Sequence, residues 1–452
     1  MSTRGFAILG HGKESCRHAL VLLAFGALGR ILLVNLLRRF GVFPPIEATY
    51  MQAARDILRF NFHALGDRVP LYPLLIAVCG LNREAIWVAQ SILGIAASFM
   101  VFDMVFLRTR HRLFSLVVGL ACSLIPEVLI YEAATMTETL TNFLLVTSLW
   151  LITRFDGLGE NPIRYPLGLG LTVALAGLTR PLMICLVPLY YGFLVPLRPP
   201  SNLFRRDAIR RTSLFALPVI VFVLGWCGFN YFNSGYFTPT TRAGQQMMDQ
   251  VDPYVDLAPD RFAVLRDAWL RSRQREPLNS SIEEVYAGAL PEVERQTGKT
   301  ETQVCHDLAS LALYLEIHHP LFCLRRVEQG WMQFWGEPSP EEVNWPQPGH
   351  VGVLSFVNTM ANFLVREVKA TFLVLTLLSI PCALILPKVF TRIEYLTFAM
   401  VSWISVCAAF TEFGDNRRFC VPLYMLIIHT VLTRGWVWIT ATSSPGAGAL
   451  SE

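Results

Sequence analysis

The sequence is short of charge. Only 16% of its 452 residues are Asp, Glu, Lys or Arg, where an ordinary soluble domain carries about 25%. The 38 basic and 34 acidic residues leave a net charge of +4. That excludes a general polycation and gives nucleic-acid binding no support. The ten cysteines form no CxxC pair and no Cys/His zinc spacing. Most of them, including Cys79, Cys122, Cys185, Cys227, Cys382 and Cys407, lie inside apolar runs and read as buried thiols. Cys305 and Cys323 share one polar segment, where they could pair if it faced an oxidising compartment. No internal repeat is visible, and no low-complexity tract beyond the tail Ser443–Glu452.

What the chain has is apolar length. Hydrophobic residues make up 53% of it, and several runs approach the roughly 20 residues needed to cross a bilayer. This composition predicts an all-α polytopic membrane protein with about ten transmembrane helices. The first apolar run, residues 19–37, follows Arg4, Lys13 and Arg17 and precedes Arg38 and Arg39. It is too long for a cleavable signal core and reads as an uncleaved first span. The others fall near 85–107, 113–131, 136–153, 167–180, 182–197, 213–233, 368–387, 395–411 and 419–438. Thr179-Arg180-Pro181 interrupts one long stretch to make two of these.

Short basic linkers at 108–112, 154–164, 198–211 and 388–392 all fall on one side of this arrangement, with both termini. The positive-inside rule makes that side the cytoplasm. The expected location is the plasma or inner membrane. Arg38 and Arg39 depart from the rule mildly, as snorkelling side chains would. The expected organisation is a transmembrane region 1–233 with a first outer loop at 40–73, an extracytoplasmic segment 234–350, a second transmembrane region 351–440 and a cytoplasmic tail 441–452.

Outside, the first loop opens with Pro44 and Pro45 and continues as a short amphipathic helix. Its apolar stripe is Glu47, Tyr50, Met51, Ala54, Ile57 and Leu58, opposite Gln52, Arg55, Asp56 and Arg59. Glu47 is therefore a carboxylate on the apolar side, a functional-site candidate by default, or else an ordinary helix N-terminal charge. Asp56 reads as a solvated partner of Arg55 or Arg59. In the long outer segment, helical patterns appear at 261–271, 281–296, 302–317 and 321–335, and Trp331, Phe334, Trp335 and Trp345 crowd the return to the membrane.

The polar residues with chemical potential all collect on this outer side. They are Glu47 and Arg68; Tyr131, Glu132, Thr137 and Glu138; Arg180; Arg242; and Glu412, Asp415, Arg417 and Arg418. Arginines hold phosphate oxygens by bidentate, charge-assisted bonds, and a carboxylate can act as general base or metal ligand. Structural readings stand beside these. Thr135-x-x-Glu138 fits a capping box, Arg180 could pair inside the core, and Arg417 and Arg418 could anchor headgroups. His318 and His319 diverge by about 100° on a helix and seldom share a metal. The residues name no cofactor. A divalent ion could assist, but no compact ligand set is evident for one.

These motifs resemble those of the GT-C superfamily of integral-membrane glycosyltransferases. The nearest branch is the family 39 group, with the protein O-mannosyltransferases and the lipid A aminoarabinose transferases. Glu47-x-x-Tyr50-x-x-Ala53, then Arg68-x-Pro70-x-Tyr72-Pro73, is similar to that family's first outer loop. Leu178-Thr179-Arg180-Pro181 is similar to its Leu-Thr-Arg-Pro break, and residues 226–244 to the start of its outer segment. Tyr314 to Pro320 with Phe334-Trp335, and Arg418-Phe419-x-x-Pro422-Leu423, complete the series in order.

The resemblance implies transfer of a sugar from a polyprenyl-phosphate donor to a lipid, glycan or protein acceptor. Glu47 would be catalytic, and Tyr50, Arg68, Tyr72, Glu138, Arg180, Arg242, Arg417 and Arg418 would bind substrate. Two departures stand out. Ile46 occupies the place of the family's usual Asp, and Phe229-Asn230-Tyr231 replaces Arg-Asn-Tyr. Either Glu47 takes over the carboxylate role or the activity is lost or altered. The competing readings are a transporter or flippase, which should show inverted repeats, and a catalytically silent subunit.

Overall fold

The computed structural model describes residues 12–39, 47–62, 65, 68–156, 164–194, 206–276, 281–336, 352–386, 388–411, 413 and 416–442. Pro44, Pro45, Ile46, Trp345, Glu412 and Asp415 lie outside them. The chain begins with helix α1 (Gly12–Arg39), then two short helices, α2 (Ala48–Leu58) and α3 (Leu71–Val78). Helices α4 (Arg83–Thr109), α5 (Arg112–Ser123), α6 (Pro126–Ala133), α7 (Glu138–Asp156) and α8 (Arg164–Thr179) follow.

Local chemistry sets these boundaries. Asn82 caps α4 by accepting from the backbone N–H groups of Glu84 (2.9 Å) and Ala85 (3.2 Å). Pro126 disfavours helical backbone at Ile125, which is extended (φ −63°, ψ 116°). As a result α5 and α6 meet at a bend of 50°. Pro181 acts the same way on Arg180 (φ −151°, ψ 112°), ending α8. A 3₁₀ turn, Pro181–Leu186, then leads into α9 (Val187–Leu194).

Next, α10 (Arg206–Val219) runs through a π segment, Ile220–Leu224, into α11 (Gly225–Ser234). Pro218, which lacks an N–H and crowds the preceding turn, sits just before the π segment. Five helices then fold into a lobe: α12 (Ala243–Val251), α13 (Ala263–Arg275), α14 (Ile282–Thr297), α15 (Glu301–His318) and α16 (Pro320–Trp335). Ser281 and Thr300 each start a helix with a reciprocal capping box. The lobe has its own core, including Met248, Trp269, Tyr286 and Leu311. Finally come α17 (Gly352–Ile385), α18 (Arg392–Thr411), a 3₁₀ turn Arg418–Leu423 and α19 (Tyr424–Thr442).

Among the described residues, six helices are long and apolar enough to cross a membrane, and the bent pair α5–α6 would make a seventh. The chain is an all-α, multi-pass membrane protein. The remaining expected spans, at 136–153, 167–180 and 182–197, correspond to the helices Glu138–Asp156, Arg164–Thr179 and, within its described residues, Pro181–Leu194, and fall outside that set of six. The lobe seats on α18. Gln250 Nε2 donates to the Ala409 carbonyl (2.7 Å), Trp331 Nε1 to Ser405 Oγ (3.2 Å), and the Arg326 guanidinium lies 3.1 Å from the Phe413 ring centroid.

Two sequence readings are corrected here. Cys305 and Cys323 are both free, and Cys305 Sγ instead lies 3.1 Å from Tyr286 Oη. Asp56 is buried and accepts from Gln52 Nε2 (3.1 Å), while Leu58 is exposed. The inward face of α2 is Tyr50, Ala53, Ala54 and Asp56, because small alanines let the helix approach its neighbours on that side.

Candidate functional site

Glu47 is not a helical residue. It is the N-cap of α2 (φ −74°, ψ 105°), so its carboxylate bends back over the first turn. Glu47 Oε1 accepts from Thr49 Oγ1 (2.7 Å) and the Thr49 N–H (3.4 Å), and lies 3.6 Å from Arg68 Nη2. Arg68 Nε also donates to Thr49 Oγ1 (3.0 Å), so arginine, threonine and glutamate form one relay. The Arg68 guanidinium stands 4.7 Å from the centre of the Tyr50 ring, a contact worth about 0.5–1 kcal/mol at a partly exposed site. Tyr50 meets Tyr72 edge-on, with centroids 5.2 Å apart.

Tyr72 connects this group to a second one. Its hydroxyl donates to Gln90 Oε1 (3.1 Å), and Gln90 Nε2 in turn bonds the carbonyls of Glu132 (2.9 Å) and Ala134 (2.7 Å). Tyr72 also lies within electrostatic reach of Glu138 and Arg418. Glu138 is the first residue of α7 and is 1% exposed. Its Oε1 takes a hydrogen bond from Arg180 Nη2 (3.2 Å) and another from Arg418 Nε. The Arg180 guanidinium packs 4.1 Å from the Phe419 ring centroid. Seven of the nine sequence-derived site residues (Glu47, Tyr50, Arg68, Tyr72, Glu138, Arg180 and Arg418) thus join one connected cluster. The elements that carry them are the α2–α3 hairpin, the start of α7, the α8 break and the turn before α19.

The cluster is not fully satisfied. Thr137 Oγ1, Glu138 Oε2, Thr139 Oγ1, both side-chain polar atoms of Asn142 and Arg180 Nη1 are buried without a hydrogen-bond partner among the described residues. Each such group costs about 1–3 kcal/mol, and a knot of them at one helix end marks a place for polar ligand atoms. The capping-box reading of Glu138 does not hold. The helix starts at Glu138 itself, so Thr135 sits outside capping register, and the carboxylate turns to the arginines.

Arg242 is placed elsewhere. It precedes α12 and lies 3.6 Å from Glu301 of α15 in the lobe. Arg417 has its backbone beside Arg418 but faces the end of α16, where its Nε would stand 3.7 Å from a side-chain carbon added at Gly336. Glu132, expected at the outer face, is fully buried. It pairs with Arg30 of α1 through Nη2–Oε1 and Nε–Oε2 contacts of 2.6 Å each. His318 and His319 go separate ways: His318 stacks on Tyr314 (3.8 Å) and His319 lies near Tyr254 (6.5 Å). Among the described residues, no three His, Cys, Asp or Glu side chains gather as a metal-ligand set.

Comparison with protein-family models finds no match, and no curated protein matches. Among solved structures, the chain is similar to the archaeal oligosaccharyltransferase AglB from Archaeoglobus fulgidus in complex with an inhibitory peptide and a dolichol-phosphate. The TM-score is 0.43 and the identity 11%, over 95% of this chain and 52% of that one. The chain therefore spans about half the length of that protein.

Two participants were missed in the sequence. Thr49 lies two residues beyond Glu47, a spacing at which a hydroxyl can reach a helix-capping carboxylate. Gln90 had a signal too, as an amide inside an otherwise apolar helix.

Proposed function

We propose that the chain is a GT-C-like membrane glycosyltransferase that moves a sugar from a polyprenyl-phosphate donor to an acceptor on the extracytoplasmic face. The observation that carries this reading is the convergence of Arg180 and Arg418 on one buried Glu138 oxygen, next to the Tyr72 that leads to Glu47 and Arg68. These residues come from loops spread across the chain, in the order the motif resemblance requires, and they bring a partly exposed carboxylate near the guanidiniums of Arg68, Arg180 and Arg418.

In this reading the acceptor nucleophile attacks the anomeric carbon of the sugar with inversion. The new bond forms as the bond from that carbon to the phosphate oxygen breaks. The acceptor's proton passes to Glu47, and the bonding electrons leave with the polyprenyl phosphate. Arg68, Arg180 and Arg418 hold the phosphate and stabilise charge that grows on it in the transition state. Tyr50 and Tyr72 form the apolar wall that keeps Arg68 and Glu47 in place. Glu138 positions two arginines by sharing one oxygen between them. With Ile46 in the usual place of an acid, Glu47 is the carboxylate of that motif left to take the proton.

The test is Glu47→Gln in membranes supplied with polyprenyl-phosphate sugars. The donor and acceptor come from mass spectrometry of envelope glycans and lipid-linked sugars in a deletion strain. Transfer is expected to fall by at least about 100-fold, as loss of a general base does. Undiminished transfer would remove Glu47 from the base role.

A further inference from the structure

Two cysteines that are far apart in the sequence meet beside the helix that seats the lobe. Cys185 lies in the 3₁₀ turn Pro181–Leu186, which follows directly on Arg180. Cys407 lies on α18, one turn before its end at Thr411. Met183 and Leu186 are fully buried and root the turn in the core, as Met400, Ile404 and Ala408 do for α18. Cys185 and Cys407 are left on the flanks, where both thiols are free and only partly buried.

A polar contact draws these flanks together. Trp403 Nε1 donates to the Cys185 carbonyl (2.8 Å). Trp403 and Cys407 are four residues apart on one helix, so their side chains share a face. Cys407 therefore stands one turn beyond the contact that holds Cys185, and the two thiols interact side chain to side chain. Other cysteines turn to different neighbours. Cys305 Sγ lies 3.1 Å from Tyr286 Oη, and Cys122 Sγ lies 3.9 Å from the Met425 carbonyl.

A buried thiol behaves as a small hydrophobe, and packing alone gives no reason for two of them to face each other. A disulfide needs side chains that converge from closely placed backbones, and facing thiols on two packed elements supply that convergence. The position is also consequential. The turn begins at Arg180, which reaches Glu138 (3.2 Å). On α18, Ser405 and Ala409 flank Cys407 in sequence and receive the lobe's Trp331 and Gln250.

We propose that Cys185 and Cys407 form a dithiol–disulfide switch, oxidised by exchange with an organic disulfide, that fixes the turn after Arg180 to the helix seating the lobe. The inference is independent of the transferase reading. It draws on the positive-inside reading, which puts the α8 break and the end of α18 on the outer side, where disulfides persist. One cysteine thiolate attacks a sulfur of the organic disulfide, which leaves a mixed disulfide and releases one thiolate. The second cysteine thiolate attacks the chain's sulfur in that mixed disulfide and expels the other. Two cysteine thiols are oxidised, one disulfide is reduced to two thiols, and the cysteine protons pass to the released thiolates.

The experiment treats the purified full chain in nanodiscs with dithiodipyridine, an apolar organic disulfide, and maps each thiol by mass spectrometry of unreduced peptides. The expected product is a direct Cys185–Cys407 bond that carries no probe and is reversed by dithiothreitol. Cys185→Ser should leave Cys407 carrying a probe adduct, and Cys407→Ser the converse. The oxidised chain is expected to melt about 5 °C or more above the reduced one, as a disulfide closing a long loop does. Hydrogen exchange across 181–194 should slow with it. Neither serine variant should show the melting shift, and if one of them fails to fold, the other decides.

Separate probe adducts on Cys185 and Cys407 in the wild type would overturn the proposal. So would two unmodified thiols under conditions that label the partly exposed Cys79. A bond that forms without changing either melting or exchange would also overturn it, since the turn and α18 would then be no more tightly joined than before.

Discussion

Two buried arginine–glutamate systems sit close to one another in this molecule, and they are built differently. Arg30 and Glu132 form a one-to-one pair with two contacts of 2.6 Å, at 3% and 0% exposure. Arg30 Nη1 also bonds the Gly26 carbonyl (2.9 Å) and Ser123 Oγ (3.1 Å), so α1 is tied to both α5 and α6. Gly94 of α4 makes room, since a side-chain carbon there would lie 1.8 Å from Glu132 Oε1. Glu138 instead takes a hydrogen bond from each of two arginines. Arg30 Nε and Glu132 Oε2 touch at 2.6 Å without a hydrogen bond, but the unpartnered atoms around Glu138 are more numerous: Glu138 Oε2, Thr137 Oγ1, Thr139 Oγ1, both polar atoms of Asn142 and Arg180 Nη1, among the described residues. A buried ion pair is weak evidence of stability by itself, and this larger set of unpartnered atoms separates the two roles.

The contrast can be broken most forcefully at Glu132. Glu132→Ala strands the Arg30 guanidinium in the bundle and is expected to cost about 3–5 kcal/mol, read as a loss of thermal or denaturant stability in detergent. A melt within experimental error of wild type would show that the pair is not a helix tie. A smaller effect is expected from Gly94→Ala, which pushes into the Glu132 carboxylate. The expected loss is about 1–3 kcal/mol, the cost of overpacking. Gly94→Ala and Glu132→Ala combined should cost less than their sum, because the clash disappears with the carboxylate.

The smallest effect belongs to a third kind of pair, on the lobe's surface. The hydrogen bond from Arg271 holds Glu292 below its ordinary value of 4.5, with contacts of 2.7 and 3.4 Å. A lowered folded-state value means the pair stabilises above the unfolded value and loses that contribution as pH falls through the folded one. The melting difference between wild type and Arg271→Gln should therefore be small at pH 7 and vanish in acid, once the pH has fallen through the lowered folded-state value. A difference that grows in acid would contradict the assigned sign.

How much of this was legible depended on whether the determining contact was local. The Arg180 break was readable because Pro181 acts on the residue beside it. The lobe helices α13 to α16 were readable from their apolar periods, and Ser281 and Thr300 supplied local caps. Glu47 was read as a residue of the helix face, with a helix N-terminal charge as the alternative, and it caps the helix. The Arg30–Glu132 tie was out of reach, since its partners are 102 residues apart and neither stands in a local pattern. Glu132 therefore looked like a site residue when it is packing. Asp56 failed for a related reason: the face of α2 that turns inward is chosen by its neighbours, and the helix's own period does not fix it. Arg242 and Arg417 lay near the right loops, yet side-chain direction depended on the lobe and on Gly336.

The most direct test compares Glu138→Gln with Glu132→Gln, recording sugar transfer and melting temperature on the same purified samples. Glu138→Gln is expected to lose at least about 100-fold in transfer, of the order seen when preorganised electrostatics are disrupted, while melting closer to wild type than Glu132→Gln does. Glu132→Gln should melt far earlier but keep transfer at temperatures where it is folded. Wild-type transfer by Glu138→Gln, with its melt as low as that of Glu132→Gln, would contradict the account.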